Sequence, residues 1–342
     1  MTVERIAIIG LGLIGGSLGL ALKQAKGSEL EVVGFSRRLE TAAEALRRGM
    51  VDRAEAHLDV AVSHADIVII ATPVMTMKDI FREIAGYLSP DSIVTDTGST
   101  KAQVMKWAQE YLPPTVSFVG GHPMTGKETS GLGEAEARLL KDCVYCLTPA
   151  QLAVGSRQSA VGSQQSAGDE RGTIDYRLLT DNTEASRSME RLVKSVGARP
   201  LFIDAEMHDE LVAGVSHLPI LLSSALVSAL ARSPLWPQMS KLAATGYRDS
   251  TRLASGSPEL NCGICLTNQS AIINWIDRYI EELKGFRRLV LEGAPRLEES
   301  LRDARGIRQR WLENEGRRFN SQESRVRNPE SGGEGGTNDS RL

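Results

Sequence analysis

Aromatic side chains make up only 5% of this 342-residue chain, and cysteine occurs four times. An excess of one charge is missing as well: 40 Lys and Arg stand against 43 Asp and Glu, a formal net charge of −3. Without a basic excess there is no field to hold a polyanion, so no nucleic acid partner is expected. The chain does not open on a charged segment followed by a long apolar run with a cleavage site, so no secretory leader is expected. The longest apolar window, Leu218 to Ala231, is interrupted by Ser223, Ser224 and Ser228 and reads as too short to span a bilayer. The expectation is a cytoplasmic protein with no membrane partner, in which Cys143, Cys146, Cys262 and Cys265 are reduced thiols unless they bind metal. What is present is 41% hydrophobic and 24% charged residues, which supports packed cores and excludes a collagen-like or wholly disordered chain. The length is more than twice that of a typical domain of about 150 residues, so two domains are expected.

From Arg5 to about Thr148, short Val/Ile-rich runs alternate with helical patterns, as in βαβ units of a sheet buried on both faces. The runs are 6–9, 31–35, 67–70, 92–95, 116–119 and 144–147, and a seventh covers 200–204. They predict an α/β fold, a Rossmann-type doubly wound sheet over residues 1–204, interrupted at 151–182 by a Ser-, Gln- and Gly-rich low-complexity loop. From Ala205 only helical stretches follow, which predicts an all-α second domain over 205–315. Its apolar Leu218–Ala231 stretch is more than a small helical domain can bury alone, so pairing of two chains into a homodimer is expected. Residues 318–342 lack apolar periodicity and read as a disordered tail.

Gly10-Leu11-Gly12-Leu13-Ile14-Gly15 sits between the first strand and an apolar helix. There Gly10 permits a tight turn, Gly12 admits a pyrophosphate to the backbone, and Gly15 lets helix and strand approach. With Leu13 and Ile14 these glycines present free N–H groups and the positive end of the helix dipole to phosphates. An NAD site places Asp or Glu at the end of the second strand, about 20 residues on. Here Ser36 and Arg37 stand instead, a pair suited to a 2′-phosphate, so NADP is expected and NAD is the alternative. Thr72 and Pro73, after the third strand, complete the expected cofactor set. His122 follows the 116–119 strand, where ligands of open α/β sheets bind, and a neutral imidazole is a suitable proton acceptor when an alcohol loses hydride. Ser99 reads either as a helix cap or as a hydroxyl relaying between His122 and a substrate oxygen. His217, Arg248 and Arg252 are polar groups within apolar helical sequence that suit an anionic substrate, although caps and ion pairs account for such residues as well. The two Cys-x-x-Cys pairs do not predict a metal site, because the first lies in a strand, where positions i and i+3 face opposite sides.

In this order GLGLIGGS, TDTGSTK, GGHPMTGKETSG, VSHLP and GYRDSTR resemble the prephenate/arogenate dehydrogenase family of tyrosine biosynthesis, over residues 3–150 and 183–310. The resemblance implies hydride transfer to a nicotinamide cofactor with loss of the ring carboxylate as CO2, and a helical domain that pairs two chains. By motif it implies His122 as catalytic base, Ser99 as the contact of the reacting hydroxyl, Glu128 near the site entrance, and His217 and Arg252 as substrate contacts. Prephenate and arogenate are left undecided. The competing readings are a β-hydroxyacid-type NADP dehydrogenase, expected to use a lysine of its helical domain, and a non-catalytic NADP-sensing protein.

Overall fold

The structure, a computed structural model, describes residues 3–127, 129–149 and 183–326. The expected loop at 151–182, residue Glu128 and the part of the expected tail from 327 onward lie outside the described residues. The described chain divides into two compact units, Met1–Ile276 and Asp277–Leu342.

The first unit begins with β1 (Arg5–Ile9), α1 (Leu13–Lys26), β2 (Glu31–Phe35), α2 (Leu39–Arg47), β3 (Arg53–Glu55), α3 (Leu58–Val62), β4 (Ile67–Ile70), α4 (Val74–Ile84), β5 (Ile93–Asp96) and α5 (Ala102–Tyr111). It continues with β6 (Ser117–Pro123), β7 (Val144–Pro149), α6 (Glu184–Ser195) and β8 (Arg199–Phe202). The strands form one sheet in the order β3-β2-β1-β4-β5-β6-β7-β8. Alternate residues of the central strands feed two cores. Ile6, Ile8, Ile67 and Ile69 pack with α1, α2 and α6 on one face, while Ala7, Ile9, Val68 and Ile70 pack with α3, α4 and α5 on the other. Because both faces are covered, these strands read as continuous apolar runs. The order reverses between β1 and β4, which opens a crevice beyond their carboxyl ends.

Three features depart from expectation. Strand β3 pairs with β2 as a short edge and carries no apolar run. Strand β7 runs antiparallel to β6, because only two 3-10 turns, Leu132–Glu134 and Ala137–Leu140, join them and a parallel return needs a crossover, usually a helix. The 116–119 strand also continues to Pro123, so His122 is a strand residue paired with Cys146, not a residue of the following loop.

Next come α7 (Ala205–Val212), a π-helical turn (Ala213–His217), α8 (Leu218–Ala231), α9 (Trp236–Leu242), α10 (Thr245–Thr251) and α11 (Pro258–Thr267). The expected window of Leu218–Ala231 was too narrow: residues 205–231 form one continuous helical run of 27 residues with a mean hydropathy of 1.7, long and apolar enough to cross a bilayer by length and composition. Its first half is nevertheless committed to the sheet domain, since His208, Asp209 and His217 are buried there. Helix α12 (Gln269–Glu292) begins in this unit. In the second unit the chain continues as α12 and then α13 (Arg296–Val326), which extends past the point where a tail is expected to begin.

Candidate active site

The glycine turn is built as its sequence requires. Gly10 has φ +101°, a left-handed conformation, and its N–H donates to the Phe35 carbonyl at 2.9 Å. A Cβ on Gly10 would come within 2.6 Å of the Ala71 oxygen, and one on Gly15 within 2.0 Å of the Gly10 oxygen. Around Gly12, by contrast, nothing lies within 4 Å of where a Cβ would be. Helix α1 starts at Leu13 with Gly12 as its cap residue, no side-chain cap and no acidic residue in its first turn. Its orphan N–H groups and positive dipole end, at Leu13 and Ile14, are therefore open to an anion, and the space at Gly12 fits a pyrophosphate. At the end of β2, Ser36 Oγ accepts from the Arg38 backbone N–H at 3.3 Å, and the exposed Arg37 and Arg38 guanidiniums make no ion pair among the described residues. Thr72 lies against Gly10, its hydroxyl accepts from Thr76 at 2.9 Å, and Pro73 caps α4.

Beyond β5 and β6 the polar groups are buried. Asp96 and Lys101 form an ion pair with neither side chain exposed. Asp96 also accepts from the N–H groups of Gly98 at 2.7 Å and Gly121 at 3.1 Å. A Cβ on Gly121 would meet the Asp96 carbonyl at 2.4 Å, so β6 has to be glycine here to lie this close to the end of β5. His122 is 7% exposed, and its Nδ1 lies 2.9 Å from Nε2 of His208, whose Nδ1 lies 2.8 Å from Asp209 Oδ1. The Asp209 carboxylate also takes the N–H groups of Lys101 at 2.7 Å and Ala102 at 2.9 Å, so α7 caps the start of α5. Burial, and then the neighbouring His208, Lys101 and His217, hold His122 well below the usual histidine range. Burial also lowers His208 against the opposing pull of Asp209. His122 is therefore a neutral base at neutral pH.

His217 is buried too, pushed down to about 4 by desolvation. Its Nδ1 lies 3.3 Å from the Asn268 side-chain amide, which donates to the Asp209 carbonyl at 2.7 Å, and its buried Nε2 has no side-chain partner among the described residues. The Ser99 backbone faces this ring. The cap reading of Ser99 does not hold: Lys101 is the residue before α5, and the Ser99 hydroxyl bonds to no described residue. Arg248 and Arg252 stand on α10 and the turn after it with exposed side chains, and Arg248 Nε reaches Asp249 at 3.4 Å. The structure thus brings together His122, Ser99 and His217, places the glycine turn in the crevice of the same sheet edge, and leaves the two arginines at the surface. Sequence reasoning missed His208, Asp209, Asn268 and the role of Lys101. The local signal is the buried His208-Asp209 dipeptide of α7, whose spacing with Ala205 and Val212 puts it on the apolar face of a helix that also carries Glu206 and Glu210.

Burial pushes the Cys143 and Cys146 thiols up to about 11, so both are neutral. Among the described residues no group of three or more His, Cys, Asp or Glu is placed to hold a metal ion.

Two family models match the chain: prephenate dehydrogenase, nucleotide-binding domain, at residues 18–158, and prephenate dehydrogenase, dimerization domain, at residues 204–303. The chain is 33% identical to the prephenate dehydrogenase of Bacillus subtilis (strain 168), covering 84% of this chain and 70% of that protein. It is 32% identical to the cyclohexadienyl dehydrogenase of Zymomonas mobilis, covering 84% and 89%. Among solved structures it resembles Synechocystis arogenate dehydrogenase, with a TM-score of 0.68 and 28% identity over 90% of this chain and 100% of that one. It also resembles A. aeolicus prephenate dehydrogenase in complex with hydroxyphenyl propionate and NAD+, with a TM-score of 0.76 and 25% identity over 91% and 99%.

Proposed function

Because the chain belongs to the prephenate dehydrogenase family, we propose that it is an oxidoreductase of tyrosine biosynthesis that oxidatively decarboxylates prephenate or arogenate, with NADP as its preferred cofactor. The observation that carries this reading is the neutral, buried His122 at the carboxyl edge of a sheet whose first turn is open to a dinucleotide. When bound, the nicotinamide supplies the hydride acceptor. As hydride leaves the ring carbon that bears the hydroxyl, His122 takes the hydroxyl proton. Loss of CO2 then makes the ring aromatic, and the phenolate oxygen takes that proton back, so the sum of the two steps releases none.

Ser99, whose hydroxyl bonds to no described residue, donates to or accepts from the reacting oxygen, and His217 presents to the substrate an Nε2 with no side-chain partner among the described residues. Glu128 and Arg252 are assigned to substrate binding by motif, Arg252 to a carboxylate, and Arg248 as a second cation of the same segment that suits an anionic substrate. Ser36 and Arg37 hold the 2′-phosphate, supported by the absence of a carboxylate at the end of β2. The working molecule is a cytoplasmic homodimer, a reading favoured by α8, which is apolar but for its three serines, yet among the described residues only its Leu218 and Ser223 are buried. A β-hydroxyacid-type dehydrogenase is disfavoured because the buried lysine of this site, Lys101, stands on the sheet side and is already paired with Asp96.

The test follows reduced-nicotinamide absorbance with prephenate and arogenate, each with NADP and NAD. Turnover with NADP exceeding that with NAD supports the full reading. Turnover with NAD alone overturns the cofactor assignment, and no turnover in any combination overturns the enzyme reading in favour of a sensor.

A further inference from the structure

The buried chain of groups behind His122 does more than fill space. A carboxylate can only accept a hydrogen bond, so the hydrogen between His208 and Asp209 sits on His208 Nδ1. A neutral His208 then has a bare Nε2, which accepts from His122, and the hydrogen between the two rings sits on His122 Nδ1. That leaves His122 Nε2 as the lone pair free to act, and it bonds to no described residue. We propose that Asp209 and His208 are positioning residues: Asp209 selects the tautomer of His208, His208 selects the tautomer of His122, and together they shelter the proton that His122 takes from substrate until the product oxygen reclaims it. This rests on the dehydrogenase reading above.

The surrounding charges agree. His122 is faced by His208 and His217 from the 205–217 helical run, by Lys101 at the start of α5 and by Cys146 across the strand pair, with Asp96 behind Lys101. Counting Asp96, Asp209 and Lys101 as charged and the histidines and the thiol as neutral, the cluster carries one net negative charge. One added proton neutralises it without any ion entering from water. Asp209 is itself held by the backbone N–H groups of Lys101 and Ala102, so its orientation is set before substrate arrives. The two rings meet nearly edge to face, with centroids 5.1 Å apart and planes at 67°, which presents nitrogen to nitrogen and prevents stacking.

The test uses the full chain. Imidazole 15N NMR of the free protein should show His122 protonated at Nδ1 and bare at Nε2; the opposite tautomer overturns the proposal whatever the activity. His208→Leu removes the acceptor and should lower kcat roughly a hundredfold, the order expected when a catalytic histidine loses its orienting partner, with the KM for cofactor unchanged. Its acidic limb should move to lower pH, because the His122 imidazolium has lost a partner. His208→Gln, which keeps an acceptor oxygen, should regain at least about tenfold over the leucine variant. A merely structural His208 would leave the acidic limb in place, and wild-type kcat in His208→Leu overturns the proposal. Should His208→Leu not fold, the glutamine variant and the wild-type tautomer still decide. If the wild type shows the expected tautomer but turns over no substrate, the tautomer assignment of His122 and His208 stands, while the dehydrogenase reading and the sheltering of a substrate proton fall with it.

Discussion

The Lys101 ammonium and the Asp96 carboxylate pair with each other where neither side chain reaches solvent, five positions apart in a loop that leads from β5 to α5. Desolvating two charges is costly, and the pair survives because Asp96 takes two further backbone N–H groups. Removing one partner leaves a buried charge alone. Lys101→Met should therefore cost about 3–5 kcal/mol in unfolding free energy, while Lys101→Met combined with Asp96→Asn should cost less than Lys101→Met by itself. Denaturant melts of both variants and of Asp96→Asn alone beside the wild type check this, and a double-variant loss equal to the sum of the two single losses would mean the charges do not interact.

Two glycines of one turn should fail in different ways. A Cβ at Gly15 would press on the Gly10 carbonyl, so Gly15→Ala should lower stability as well as cofactor affinity. A Cβ at Gly12 meets nothing in the protein, so Gly12→Ala should melt within about 0.5 kcal/mol of wild type yet lose cofactor, because the methyl occupies the space assigned to pyrophosphate. Thermal melts with and without NADP separate the two.

For the 2′-phosphate, Arg37→Ala should weaken NADP by about 1.5–3 kcal/mol, the scale of a hydrogen bond to a charged group, with little change for NAD. Fluorescence titration of each cofactor measures it. An equal loss for both would remove Arg37 from the phosphate site.

The three buried histidines make stability depend on pH. Each has its folded value below the ordinary 6.5, so the unfolded chain binds more protons in acid. Their contribution is complete above about pH 6.5 and is lost as pH falls toward the folded values. For His217, lowered from 6.5 to about 4, the loss comes to about 3 kcal/mol by pH 4. His217→Asn should flatten the fall in melting temperature between pH 6.5 and 4, and an unchanged slope would mean that His217 binds its proton equally well in the folded and unfolded states.

The glycine turn and the central strands were legible because their signals are local: a strand, three glycines at fixed spacing and a helix fit between Arg5 and Lys26. The antiparallel return of β7 was not, since an apolar run carries no direction and only the missing crossover helix betrays it. The ends of helices α10 and α11 were not legible for a related reason: both are short, and among the described residues α10 has none buried to create a periodic pattern. The motif named Arg252 and the polar pattern of the helical segment named Arg248, but the structure leaves both side chains exposed.

From sequence alone the chemistry of the first turn follows, because the left-handed φ of Gly10 favours glycine and the spacing to the next strand and helix is local. The tertiary structure alone decides what stands behind His122. His208 lies 86 residues away, and only the packing of α7 against α5 brings its ring to 2.9 Å. Out of water, a single carboxylate on that helix determines which nitrogen carries the proton, and that is a property of burial and distance, which no residue spacing encodes.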